Sequence, residues 1–336
     1  MTNVTKLKAA VVGCGSIGSL YDEGRQGLDP LSHAGAYREY RGTCLVAGVD
    51  NNTSRRERFV KMWGVPAYVH YQEMLAREQP DIVSVCTWPD SHMEVAVAAA
   101  DSGARGVFCE KPLADSLPNG RKLVEACESR NVSLAVNHLR RWDKAHQEVR
   151  SFLAQGKLGS LQHTTVHYTR GVANYGSHVA DLLRFFFGEV DWVRAFNRLK
   201  EPDHDPSLDA YMRMRNGMGC ALVSCPRDSL DVFDLDIIGS TGRLRIEEFG
   251  HTIRLHRVAT QPEFPRRQAF IEASSPFSPS LRGMMLAAVD DLVGCVAQRK
   301  KTPLCTGQDG LAALEIVTAL ERSAAGDGEQ VNLPLG

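Results

Sequence analysis

The sequence has no C-x-x-C pair, no apolar run near the roughly 20 residues that a membrane-spanning helix needs, and no excess of either charge. Its nine cysteines are odd in number and dispersed. That pattern speaks against a disulfide framework or a zinc site and for reduced, packed thiols of a cytosolic protein. Thirty-nine basic and 40 acidic side chains leave a net charge of −1, so no bulk attraction to nucleic acid or an anionic membrane is expected. No internal repeat and no low-complexity segment is visible, which sets aside solenoids and tethers. The opening stretch "MTNVTKLKAAVVG" is too short and polar for a signal peptide and leads into a strand. A cytoplasmic location, with no membrane or nucleic-acid partner, is the expectation.

A chain of 336 residues suggests about two domains. Over residues 1–140, short apolar runs alternate with helical patterns. The runs are 7–13, 44–50, 81–87, 106–110 and 133–137, nearly continuous in apolar character as in a parallel sheet covered on both faces. Helical patterns fill 54–64, 91–103 and 117–130. This alternation predicts an α/β, doubly wound dinucleotide-binding domain of the Rossmann type. From residue 141 to 336 the pattern changes. A connecting helix over 143–156 precedes strand-like runs at 161–169, 192–199, 209–216, 220–225, 233–239, 240–248 and 251–258. Helices are expected over 177–188, 280–298 and 310–325, with a short strand at the end. Consecutive strands predict an α+β substrate-binding and oligomerisation domain on a large, mostly antiparallel open sheet, with a C-terminal segment able to pack back toward the first domain.

Gly13, Gly15 and Gly18 form G-x-G-x-x-G between a strand and a helix, with Ser16 and Ile17 inside the motif. One glycine permits a tight turn, the next lets main chain approach a pyrophosphate, and the third lets the helix pack against the strand. Asp50 ends the second strand, where a carboxylate accepts from a ribose 2′-hydroxyl and repels a 2′-phosphate. NAD(H) is therefore favoured over NADP(H), with Arg55 and Arg56 close by as the opposing signal. Asp50 comes later than the usual spacing of about 20 residues. The excess lies in 19–42, read as a first helix broken by a loop around Arg25–Leu31 and resuming near His33. Thr87, Pro89 and His92 follow the run at 81–87 and are read as lining the adenine or ribose side.

The stretch "VFCEKP" (107–112) stops an apolar strand at two opposite charges and a proline. Ligands bind at the carboxyl ends of the strands in such a sheet. Lys111 is thus placed toward the nicotinamide, where burial lowers a lysine pKa and lets it polarise a carbonyl. Glu110 is read as its partner or as a holder of main-chain geometry, and Asn137 as lying near the nicotinamide ribose. In "RGVANYGSHVADLL" (170–183), His178 falls in the first turn of a helix, where the positive helix end favours the neutral imidazole. Asp181 is read as structural. Arg141, Arg170 and Tyr175 are candidate substrate contacts, while "DHDPSLD" (203–209) reads as a solvated loop. His163 and His167 share a strand face without a third ligand, so no metal site is read.

In "GCGSIG" (13–18), "CEKPLA" (109–114), "NHLRRW" (137–142), "NYGSHVADLLRFFFG" (174–188) and "GSTGRLRI" (239–246), the chain resembles the glucose–fructose oxidoreductase / inositol dehydrogenase / MocA family of NAD(P)-dependent oxidoreductases. The resemblance runs over nearly the whole chain. It implies hydride transfer between NAD(H) and a secondary alcohol or ketone of a sugar, cyclitol or nucleotide-sugar. Lys111 would be a catalytic or positioning group, and His178 the general acid/base. It also implies a cis Lys111–Pro112 bond. Many members carry an aspartate where this chain has Asn174, which puts a histidine–aspartate relay in doubt and leaves Asn174 to orient substrate. The alternatives are an NAD-dependent glycosidase of the same family and a non-catalytic dinucleotide sensor. Retention of Lys111 and His178 argues against the sensor. A homodimer or homotetramer is expected, because a broad sheet with one uncovered face needs a cover.

Overall fold

A computed structural model describes residues 6–25, 27–200, 204–226, 230–261, 263–279 and 281–335. The chain forms two compact units, Met1–Trp142 with Gly283–Leu311, and Asp143–Arg282 with Ala312–Gly336.

The first unit holds a six-stranded sheet of β1 (Leu7–Val12), β2 (Thr43–Val49), β3 (Ala67–Tyr68), β4 (Ile82–Val85), β5 (Gly106–Cys109) and β6 (Ser133–Val136). The order is β3-β2-β1-β4-β5-β6 and every pairing is parallel. Strands β4 and β5 are buried along their length, as their unbroken apolar sequence requires. Helices α1 (His33–Glu39), α2 (Thr53–Trp63), α3 (Tyr71–Glu78), α4 (Pro89–Asp101) and α5 (Leu117–Ser129) connect them. Because the strands run the same way, Gly13, Asp50, Thr87, Glu110 and Asn137 all follow strand ends on one edge of the sheet. The order reverses direction between β1 and β4, the place where such sheets take ligands.

A later segment of the chain, Gly283–Leu311, belongs to the first unit. Helix α8 (Met284–Val296), read from the sequence as part of the second domain, contributes Met285, Ala288, Val289, Leu292, Val293 and Val296 to the core of the first sheet. Gly106 makes room for it, since a Cβ there would stand 2.8 Å from Val296 Cγ2. The returning segment is tied by Val136 N–H to Cys305 O at 3.1 Å and by a bridge between Ala135 and Thr306. Ser280, at the start of the helix expected over 280–298, lies outside the described residues.

The second unit contains α6 (Lys144–Ala154) and α7 (Gly176–Phe187). Its strands are β7 (Leu161–Tyr168), β8 (Val190–Phe196), β9 (Asp209–Met214), β10 (Gly219–Ser224), β11 (Phe233–Gly239), β12 (Gly242–Glu247), β13 (Thr252–Gln261), β14 (Phe264–Ala273) and β15 (Val331–Asn332). It also includes the part of α9 (Gly307–Ala325) from Ala312 on. The nine strands are ordered β14-β13-β12-β11-β7-β10-β9-β8-β15, antiparallel except for β7 against β10. Burial alternates strictly along β11 and β12. Phe233, Leu235, Ile237, Leu244 and Ile246 face the core, and Asp236 and Arg243 form an ion pair on the opposite face.

Candidate active site

The three glycines of the first turn answer to two different demands. Gly13 has φ +99°, and a Cβ there would lie 2.5 Å from Cys86 O. At Gly18 a Cβ would lie 1.9 Å from Gly13 O. At Gly15 the nearest atom to a built Cβ is Arg55 Nη1 at 3.9 Å, so nothing in the protein forbids a side chain there. Two glycines answer to packing and the middle one to open space, which is what close approach of a pyrophosphate demands. The loop fits a dinucleotide. Within the motif, Ser16 O accepts from Tyr21 N at 2.9 Å and Ile17 O from His33 N at 3.0 Å.

The first helix resumes at His33, where the sequence placed it, but the chain leaves it earlier than Arg25. The chain makes one helical turn after Gly15, leaves at Leu20–Asp22, and re-enters at α1. On re-entry His33 N–H donates to Ile17 O and Ala34 N–H to Gly18 O, both at 3.0 Å. Asp22 closes the excursion by accepting from Leu31 N at 2.8 Å, Ser32 N at 2.9 Å and Ser32 Oγ at 2.6 Å. Gln26 lies outside the described residues.

Asp50 is buried and already oriented. Cys14 N–H donates to Oδ2 at 3.0 Å and Asn52 N–H to Oδ1 at 2.9 Å. Arg56 is taken up by Asp50 O at 2.8 Å, and Arg55 stands 3.7 Å from the carboxylate. The two arginines that opposed the NAD reading are therefore engaged with Asp50 itself. Thr87 is half-buried after β4, and Pro89 opens α4. His92 lies at the start of α4. It is fully buried, with Nε2 3.0 Å from Thr87 O and Nδ1 3.1 Å from Pro112 O, and so links two turns. Trp88, passed over in the sequence, is 80 % exposed at the start of α4 on the same edge.

Lys111 follows β5, and the Lys111–Pro112 bond is cis. Glu110 is not simply its partner. The carboxylate takes Lys111 N–H at Oε2 (3.2 Å), and at Oε1 it meets His33 Nε2 (3.0 Å) and Asn137 Nδ2 (2.5 Å). Behind His33, Nδ1 lies 2.8 Å from Ser84 Oγ, which lies 2.7 Å from Tyr37 Oη. Burial alone would raise the Glu110 pKa. The hydrogen bond and charge of His33, then Asn137 and Lys111, outweigh it and hold the carboxyl below its usual value. His33, Ser84 and Tyr37 were missed because nothing local in the sequence ties residues 33, 84 and 110 together.

In the second unit the segment before α7 is a widened helical turn, Gly171–Tyr175. Asp205 accepts from Ala173 N at 2.8 Å and Asn174 N at 3.2 Å, Ser207 Oγ accepts from Gly171 N at 3.0 Å, and Pro206 O from Val172 N at 2.9 Å. The stretch read as a solvated loop is thus, over its described residues 204–209, the cradle of this turn; Asp203 lies outside the described residues. Gly171 has φ +88°, and a Cβ there would collide with the Asp205 carboxylate. Asn174 is exposed, His178 is half-buried in the first turn of α7, and Tyr175 stacks edge-on against Phe249 and Phe233. Asp181 is buried.

Two expected substrate residues have protein partners. Arg141 is buried and donates to Leu304 O at 3.2 Å and to Asp309 at 3.1 Å, bracing the returning segment of the first unit. Arg170 is held by the carboxylate of Asp231 at the surface.

Residues 7–138 match the oxidoreductase family with an NAD-binding Rossmann fold, and residues 150–333 match the C-terminal alpha/beta domain of the same family. D-apiose dehydrogenase of Paraburkholderia graminis is 25% identical, with 99% of this chain and 91% of the relative covered. Inositol 2-dehydrogenase of Pseudomonas savastanoi pv. phaseolicola is 30% identical over 52% of this chain and 50% of its own length. Among solved structures, the WlbA dehydrogenase of Bordetella pertussis in complex with NADH and UDP-GlcNAcA has a TM-score of 0.77 at 22% identity, covering 98% of this chain and 100% of that one. A levoglucosan dehydrogenase in complex with NADH has a TM-score of 0.82 at 17% identity, covering 99% and 100%. These two likenesses concern the fold. Among the described residues no helix is long and apolar enough to cross a membrane.

Proposed function

The chain belongs to the Gfo/Idh/MocA family of NAD-binding oxidoreductases, and from that membership we propose that it moves a hydride between NAD(H) and a secondary alcohol or ketone of a sugar, cyclitol or nucleotide-linked sugar. The observation that carries the reading is the edge of the first sheet. There the open Gly15, the pre-oriented Asp50, Lys111 and Asn137 follow the ends of β1, β2, β5 and β6. Bound NAD(H) supplies hydride acceptance or donation. The chain supplies the rest. Gly13, Gly15 and Gly18 admit the pyrophosphate, and Asp50 accepts from the ribose. Lys111 stabilises charge on the reacting oxygen, and His178 takes or returns its proton. Asn174 and Tyr175 orient substrate. The names of the relatives support the sugar class.

The test is a screen of sugars, cyclitols and nucleotide-sugars that follows the absorbance of reduced cofactor, with NAD and NADP run in parallel. Turnover with at least one such substrate, and preference for NAD, is the expected result. Equal or better use of NADP would overturn the role given to Asp50, and cleavage of a glycoside without net cofactor reduction would move the chain to the glycosidase reading.

We further propose a homodimer or homotetramer assembled through the uncovered face of the nine-stranded sheet. Trp192 packs at 5.9 Å and His163 at 6.4 Å from Tyr211 on that face, and Phe196 is 51 % exposed. A second copy is the simplest cover for such a patch. Light scattering should give a multiple of 37.0 kDa; a species at the monomer mass would rule this assembly out.

A further inference from the structure

The polar chain behind Lys111 converges on Glu110. A carboxylate only accepts, so the groups at Glu110 Oε1 must be N–H donors, and both His33 Nε2 and the Asn137 amide nitrogen converge there. With Nε2 donating, the ring's other nitrogen, Nδ1, lies 2.8 Å from the Ser84 hydroxyl, which lies 2.7 Å from Tyr37 Oη. Lys111 N–H completes the set at Oε2. Every donor points to one carboxylate. The far end of the chain is Tyr37 and Ser84, both fully buried, so it opens onto core and cannot carry protons to solvent. Its work is to fix positions.

One position matters for ligand recognition. Because Asn137 must present its nitrogen to Glu110, its amide cannot turn over, and its oxygen is committed to the other side. That oxygen is buried and has no hydrogen-bond partner among the described residues. A buried acceptor of this kind calls for a donor. We propose that His33 and Glu110 are positioning residues that lock the Asn137 amide so that its Oδ1 accepts an N–H or O–H of the nicotinamide riboside half of the dinucleotide, while the same carboxylate fixes the main chain at Lys111. The inference rests on the reading of this sheet edge as the nicotinamide end of the cofactor site.

The experiment compares two ligands, NADH and ADP-ribose, which lacks the nicotinamide. Dissociation constants are measured by NADH fluorescence and by calorimetry for the intact chain, for Asn137→Ala, Glu110→Gln and His33→Phe, and for His33→Gln, which restores an N–H donor toward Glu110. Asn137→Ala and Glu110→Gln should each weaken NADH by about tenfold, the effect of one lost hydrogen bond, and leave ADP-ribose unchanged. His33→Phe should follow them, and His33→Gln should recover most of the loss. Equal weakening of both ligands, or of neither, overturns the proposal. If the Glu110 variant does not fold, Asn137→Ala decides, since it leaves the carboxylate with His33 and Lys111 N–H. Failure of the unmutated chain to bind NADH would instead sink the cofactor reading itself, so the two failures are told apart.

Discussion

His178→Ala and Lys111→Ala should each lower turnover by about 10²–10⁴-fold, the usual cost of removing one acid/base group, while NADH affinity should stay near that of the intact chain. The argument begins with the reaction: as hydride moves on or off carbon, a proton must leave or join the attached oxygen. His178 has a titratable ring in the first turn of α7 and is half-buried, and the turn before it is held rigidly by Asp205, Pro206 and Ser207. Lys111 has its main chain held by Glu110. Neither residue belongs to the phosphate loop, so binding of the dinucleotide does not depend on their side chains. Asn174→Ala acts differently. An amide neither takes nor gives a proton at working pH, so its loss should raise KM and spare kcat. Steady-state kinetics over the pH range, with cofactor titrations alongside, check all three. Near-normal turnover of His178→Ala at every pH would show that another group carries the proton, with Lys111 and Tyr175 the next to examine.

Gly15→Val should separate binding from folding. A Cβ at this position meets nothing nearer than Arg55 Nη1 at 3.9 Å, so the melting temperature should barely move. The branched side chain would occupy the space a pyrophosphate needs, and NADH affinity should fall by about 100-fold or more, on the order of 2.7 kcal/mol. Gly18→Ala should do the reverse. Its methyl would stand 1.9 Å from Gly13 O, main chain that cannot rotate away. Overpacking of that kind costs about 1–3 kcal/mol of stability before any ligand is considered. Calorimetric melting and NADH titration of both variants test the pair. A Gly15→Val protein that binds NADH normally would reduce the motif to a tight turn.

Much of this was legible because the signals are local. G-x-G-x-x-G announces its own geometry, and the unbroken apolar character of β4 and β5 follows from burial on both faces. Other features were hidden because their causes are distant in sequence. His33 meets Ser84 and Glu110 only once three separate strands and helices are assembled. Arg141 looked like a site residue by position, yet its partners, Leu304 O and Asp309, come from a segment that returns from far along the chain. That return had a sequence trace. "MMLAAVDDLVGCV" is apolar on nearly every side, which is the mark of a helix covered on more than one face. Strand β3 has two residues, too few for any period to show, and β14 was overlooked because most of its residues are exposed on both faces.

The excursion between Leu20 and Ser32 has a consequence for reading distances along a chain. Ile17 and Gly18 offer their carbonyls to residues 33 and 34 as though the intervening residues had never been inserted. The outgrowth is grafted onto a helix whose ladder runs past it, and Asp22 stitches its base shut. Its length is therefore nearly free to drift, since each doubling of a flexible loop adds only about 0.6 kcal/mol of closure cost. The wide separation between Gly18 and Asp50 measures the size of that outgrowth. The span from pyrophosphate to ribose is set by β1 and β2, which pair directly in parallel register whatever the graft contains.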